Sequence, residues 1–218
     1  MTRQPARLVL FLAAACVAGA AIVAVARPAF AKDATAEAGP LSVVDAFHDR
    51  LIGAMKRSNE LSARARYDRL SDDIRKAFCT GLTAKQAAGR TAWKAASEAE
   101  RNSYLETFTR WTVASYASQF KGYSGHAFSP GAEKPGPRAG SALVESELTA
   151  PGDPPVNFTY LLIRDQGSWG IYDVIVRRGT TAISQLAKYI SEFKSMARDG
   201  LPALTRVLTE KTNALLTE

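Results

Sequence analysis

From Val156 to Phe193 the apolar positions run through two strand-like stretches and then a helical one, and each predicts an element. Val156, Phe158, Tyr160 and Leu162 alternate with Asn157, Thr159 and Leu161, the two-residue period of a half-buried strand. Asp165-Gln166-Gly167-Ser168 reads as a hairpin turn, with glycine where a positive φ costs little. Gly170 to Val176 is again rich in β-branched and aromatic residues, and this second strand carries Trp169, Tyr172 and Asp173. Ile183, Leu186, Ile190, Phe193 and Ala197 then follow at spacings of three and four, one apolar stripe of a helix. Two strands leading into an amphipathic helix, without a reactive motif beside them, can form the wall of a container.

Upstream, the pattern is helical. Ser42 is a candidate N-cap for a helix with Val44, Phe47, Leu51 and Ala54/Met55 on its inner face. A second helix is expected around 61–80, with Tyr67, Leu70, Ile74 and Phe78 inward. Its other face carries Arg64, Arg66, Arg69, Arg75 and Lys76, either a solvated surface or a docking patch. Gly81 ends it, and Thr83 can cap a short helix running to Trp93. Ser97-Glu98-Ala99-Glu100 is a capping box opening a long helix with Tyr104, Phe108, Trp111, Tyr116 and Phe120 along it, stopped by Gly122. His126 to Phe128 is a short candidate strand, 129–141 a Pro/Gly-rich loop, and Ala142 to Leu148 an alternating strand. After Asp199-Gly200, Pro202 stands in the first turn of a last helix bearing Leu204, Val207, Leu208 and Leu215. Helices, then a small antiparallel sheet, then helices again predict one α+β domain: helices packed on a twisted sheet, cone-like, around an apolar cavity.

The N-terminus bears on compartment. Arg3 and Arg7 precede an uncharged run from Leu8 to Ala26, and Ala29-Phe30-Ala31 has the small-residue spacing of a cleavage site. The expectation is an export signal over 1–31 and a periplasmic protein, with a retained inner-membrane anchor or a lipoprotein reading of Cys16 as alternatives. Residues 32–40 read as a disordered leader and 41–218 as the domain. Loss of the signal leaves 187 of the 218 residues, and removal of its three arginines takes the formal charge from +7 to +4. That is far from the dense basic footprint of a nucleic-acid binder, so no nucleic-acid partner is expected. Cys79 then has no second cysteine to pair with.

Catalytic constellations are missing from the pattern. The two histidines, His48 and His126, lie at no ligand spacing from Cys, His or an acidic pair, so no metal site is expected. There is no G-x-S-x-G elbow, phosphate-binding glycine loop or supported Cys–His pair, and no cofactor is implied. Asp173 is the one carboxylate in an interesting place. It is either an acceptor of local hydrogen bonds or, in a half-open cone, a base for proton transfer.

In this order of elements the chain resembles the MlaC family, also called the toluene- or organic-solvent-tolerance auxiliary proteins. The resemblance rests on Trp93 followed by Ser97-x-x-Glu100-Arg101, on Phe108 and Tyr116, and on the strand Tyr160 to Arg164. Trp169 with Tyr172-Asp173-Val174 and the helix containing Phe193 complete it. The wording from Ile183 to Phe193 is most similar to the hopanoid-associated, HpnM-like branch. The resemblance implies an NTF2-like fold and a non-catalytic periplasmic lipid carrier that shuttles a phospholipid or a hopanoid between the inner and outer membranes. Its implied partners are an inner-membrane MCE-type ABC transporter and an outer-membrane lipoprotein complex. Phe108, Trp111, Tyr116, Phe158, Tyr160, Trp169, Ile171, Ile183, Leu186 and Ile190 are then candidates to line the lipid cavity, with Arg177 and Arg178 at its rim for a headgroup. The sequence departs from the family at 177–182 (RRGTTA), where a shorter connection is usual. Alternatives are a small enzyme for a hydrophobic substrate, with Asp173 as base, and a non-catalytic envelope adaptor using the basic face of the second helix.

Overall fold

The computed structural model describes residues 38–129 and 131–217, so the predicted signal (1–31) and the leader up to residue 37 lie outside the described residues. Pro40 opens α1 (Pro40–Lys56), where its fixed φ suits a first turn. Gly39 holds the N-cap position that the pattern assigned to Ser42. Val44, Phe47, Leu51, Ala54 and Met55 are all buried, as their spacing predicts. In α2 (Ala63–Ala77) the cap is Ser62, whose Oγ accepts from the Ala65 N–H at 3.2 Å. Tyr67, Leu70 and Ile74 face inward. Arg66 does not belong to a solvated cationic face. It is buried, and its guanidinium donates to the carbonyls of Ala117 at 3.1 Å and Leu61 at 2.8 Å.

The expected single short helix is two. Gly89, with φ of 81°, separates α3 (Thr80–Ala88) from α4 (Arg90–Ala95). The capping box forms as predicted and starts α5 (Glu98–Gln119), with Ser97 N–H donating to the Glu100 carboxylate at 2.7 Å. Buried residues surround α5: Tyr104, Phe108 and Trp111 join one core cluster, Val113, Ala114 and Ala117 the other. A helix apolar on more than one side is an interior helix, and α5 is the wall shared by both clusters.

Six strands make an antiparallel sheet: β1 (Ala127–Ser129), β2 (Glu133–Pro135), β3 (Ser141–Ala150), β4 (Asp153–Asp165), β5 (Ser168–Arg178) and β6 (Thr181–Ser184), in the order β1-β3-β4-β5-β6 with β2 also on β3. Short β2 lies inside the Pro/Gly-rich segment, where local composition concealed it. Gln166 and Gly167 both take positive φ, 50° and 94°, giving the two-residue turn that matches strand twist between β4 and β5. The inner face of β4 is Phe158, Tyr160 and Leu162, all buried. Helix α6 (Gln185–Met196) follows β6. A 3-10 turn at Ala197–Asp199 then leads into α7 (Gly200–Thr217), which buries Leu201, Leu204 and Leu208. Ile183 is therefore a strand residue and not the first of a helix stripe. The stripe of α6 that meets the core is Leu186, Tyr189 and Phe193.

Candidate functional site

One irregularity in β5 organises the region where the helices meet the sheet. Leu162 pairs with Ile171 and Leu161 with Asp173, so Tyr172 is an extra residue on β5. Such a bulge re-aims side chains. It lets Ile171, Val174 and Val176 all lie opposite the inward residues Leu162, Tyr160 and Phe158, which strict alternation forbids. The bulge is also where helices attach. The Cys79 N–H donates to the Ile171 carbonyl at 2.9 Å, and Thr83 Oγ1 donates to the Tyr172 carbonyl at 2.9 Å. Gly170 permits this approach, since a Cβ there would stand 2.4 Å from Cys79 Sγ. Burial, with a smaller contribution from Asp165, pushes the Cys79 thiol up to about 11, so it stays protonated and unreactive at neutral pH.

Beside the bulge is an apolar cavity of about 30 Å³. Its walls come from α3 (Thr80, Thr83), α5 (Phe108, Thr112, Tyr116), β5 (Tyr172, Asp173, Val174) and α6 (Gln185, Leu186, Tyr189), together with Phe78. The threonine hydroxyls are engaged with the protein: Thr112 Oγ1 donates to the Phe108 carbonyl at 2.9 Å, and Thr80 Oγ1 accepts from Thr109 at 2.9 Å. Asp173 is engaged too. Its carboxylate accepts from Val174 N–H at 2.8 Å, Leu186 N–H at 2.9 Å and Ser184 Oγ at 2.6 Å. It therefore ties β5 to the start of α6 as an acceptor of local hydrogen bonds. The threonines and Asp173 are thus turned to the protein, and apart from Gln185 and the tyrosine hydroxyls the surface left to an occupant is apolar.

The predicted lining residues fall into four places. Phe108, Tyr116 and Leu186 line the cavity. Trp111 packs just behind it, edge-on to Tyr189 at 5.0 Å. Phe158, Tyr160 and Ile171 are buried on the inner sheet face, with half-buried Trp169 at its margin. Ile183 and Ile190 are 48% and 38% exposed and belong to neither core cluster. Arg177 and Arg178 are exposed at the end of β5, and the departing segment 177–182 folds as the β5–β6 hairpin, with Arg178 opposite Thr181. Tyr189 and Val174 are among the lining residues that the pattern does not mark. Tyr189 was legible as the residue three beyond Leu186 and four before Phe193, whereas Val174 faces inward only because of the bulge.

A second, wider groove of about 410 Å³ lies between α1 and β1, lined by Asp45, His48, Asp49, Lys56, Tyr123 and His126 among others. Its carboxylates suit polar or cationic groups better than hydrocarbon. Asp45 is held above the usual carboxylate range by desolvation and by neighbouring Asp49. At its floor His48 is 4% exposed, stacks on Phe128 at 3.8 Å and shares a 2.9 Å hydrogen bond with Tyr160 Oη. Burial lowers its pKa to about 4. Among the described residues no group of three His, Cys, Asp or Glu could hold a metal ion, and no helix is long and apolar enough to cross a membrane.

Residues 45–210 match the family model described as MlaC protein. Among solved structures, the chain is similar to a phospholipid-binding protein from Ralstonia solanacearum in complex with a phospholipid. The TM-score is 0.69 at 17% identity, over 82% of this chain and 99% of that one. That likeness extends to the fold, mixed helix and antiparallel sheet. No curated protein matches in sequence.

Proposed function

We propose that this chain, which belongs to the MlaC family, binds one membrane lipid in the seam between its helices and the inner face of its sheet, and carries it without chemical change. The observation that carries this reading is the character of the seam. Its exposed lining is largely apolar, and its threonines and Asp173 are already hydrogen-bonded to the protein, so it offers an occupant burial with few polar contacts, those of Gln185 and the tyrosine hydroxyls. Its aromatic surroundings, Phe78, Phe108, Trp111, Tyr116 and Tyr189, are large side chains able to repack around a chain. The solved phospholipid-binding protein that shares this fold supports phospholipid as the cargo. The HpnM-like wording of 183–193 supports a hopanoid as the alternative.

Energetics fit a carrier. Two acyl chains with roughly 30 methylenes gain about 0.8 kcal/mol each on leaving water, more than 20 kcal/mol in all. A bilayer offers nearly the same environment, so exchange between membrane and protein is close to balanced and release remains possible. In this reading the protein works in the periplasm after export, between an inner-membrane MCE-type ABC transporter and an outer-membrane lipoprotein complex, with Arg177 and Arg178 near the headgroup. The test is transfer of a labelled phospholipid from donor to acceptor vesicles. Catalysed transfer, with the lipid recovered unmodified, is expected. A protein that accelerates no transfer, or that returns a hydrolysed lipid, contradicts the proposal.

A further inference from the structure

A cavity of about 30 Å³ holds roughly one water, whereas pockets for small ligands run from about 300 Å³ upward. If the seam takes a lipid, as proposed above, one of its walls must move. The four walls are unequally attached. α5 is buried on both sides, with Tyr104, Phe108, Val113 and Ala114 at 0–1% exposure. α3 buries Ala84, Ala87 and Ala88 and is tied to β5 through Thr83. β5 is an interior strand, hydrogen-bonded on both sides. The fourth wall, β6 and the first half of α6, is different. β6 is a four-residue edge strand with Thr181, Ala182 and Ile183 exposed. The one fully buried side chain of α6, Phe193, lies in its second half. Between 181 and 190 the apolar side chains that pack on the core are Leu186 and Tyr189, with Gln185 beside them on the cavity wall.

We infer that acyl chains reach the seam through a portal beneath residues 181–190, which lift as a flap from β5, and that Asp173 is the latch that holds the flap down. The carboxylate grips both ends of the β6–α6 junction, at Ser184 Oγ and Leu186 N–H, from a bulge position that also borders the cavity. Phe193, packed against Phe108 and Trp111, keeps the far half of α6 in place as the pivot. The flap's exposed Ile183 gains a use. Ile183 lies in register with Val176 and Phe158, the inner-face row of the sheet, beyond the reach of the helices. A lifted flap lets Ile183, with Leu186, face the arriving hydrocarbon.

The test locks the flap. Arg177 and Ala182 are direct partners across β5 and β6, one residue away from the inward row. Opposed Cα atoms in an antiparallel pair, about 4.5–5.5 Å apart, are within disulfide reach. In Arg177→Cys/Ala182→Cys the oxidised form should exchange vesicle phospholipid at least about tenfold more slowly than the same protein reduced. Asp173→Asn, which cannot accept all three hydrogen bonds, should move the other way. Losing one hydrogen bond to a charged group is worth roughly tenfold or more in an opening equilibrium. The amides of Leu186 and Ala187 should also lose hydrogen-exchange protection while the thermal midpoint of the protein changes little. Equal exchange by oxidised and reduced forms, both active, overturns the flap and leaves lipid binding standing. No exchange by the wild-type protein overturns lipid binding itself, and the flap with it; Asp173→Asn exchange no faster than wild type, whether or not the reduced cysteine variant is active, overturns the latch.

Discussion

Acidification should destabilise this fold through one residue. His48 is buried against Phe128 and Tyr160, and its folded-state pKa is about 4, against 6.5 for an exposed imidazole. Between those values the unfolded chain binds a proton that the folded chain refuses, so stability falls as pH falls through this window and is fully present above it. At about 1.4 kcal/mol per pKa unit, the lowering corresponds to a loss on the order of 3 kcal/mol between pH 7 and pH 4. Other groups titrate there too, so the comparison is with His48→Phe/Tyr160→Phe, which replaces both partners by rings that can still stack. Urea unfolding at pH 7, 5.5 and 4 gives the stability of each protein. The wild type should lose on the order of 3 kcal/mol more than the variant, most of it below pH 6. Parallel pH profiles refute the reasoning, because they require a His48 that protonates as easily folded as unfolded.

Two further substitutions probe how the helices attach. Gly170→Ala places a Cβ 2.4 Å from Cys79 Sγ and should cost about 1–3 kcal/mol in chemical denaturation. Adding Cys79→Ala should recover most of that loss, since the remaining Cys79 atoms lie at 3.4 Å or more. Arg66→Met strands the carbonyls of Ala117 and Leu61 and should cost about 2–3 kcal/mol. Arg69→Met, on the exposed side of the same helix, should stay within about 0.5 kcal/mol. Equal costs for the two arginines would restore the solvated-face reading of α2.

The elements set by local signals were legible. The capping box at Ser97, the Gln166–Gly167 turn and the alternation of β4 each act within a few residues, and the α+β order follows from them. Features set by distant partners were not. A spacing of 3, 4, 3 and 4 from Ile183 fits a helix, but pairing of Ile183 with Val176 extends the sheet through Ser184 and starts the helix one residue later. The α6 face is thereby rotated onto Leu186, Tyr189 and Phe193, leaving Ile190 outside. Arg66 looked like one more surface cation because nothing nearby in sequence shows that the carbonyl of Ala117, fifty-one residues away, needs a donor. The bulge at Tyr172 is likewise invisible in a run of β-formers, yet it aims Val174 into the seam and places Asp173 at the flap. The cavity's place between helices and sheet was legible in part, through Phe108, Tyr116 and Leu186, whereas the walls from α3 and the β5 bulge were not, because they depend on four separate elements meeting.

The central claim is that the seam of this fold holds a membrane lipid. The most direct measurement is solvent extraction and mass spectrometry of protein purified from its native host without detergent. The account predicts about one lipid per chain, a diacyl phospholipid or a triterpenoid, displaced by excess vesicles. Protein that is lipid-free as isolated and acquires none on incubation with such vesicles would contradict it.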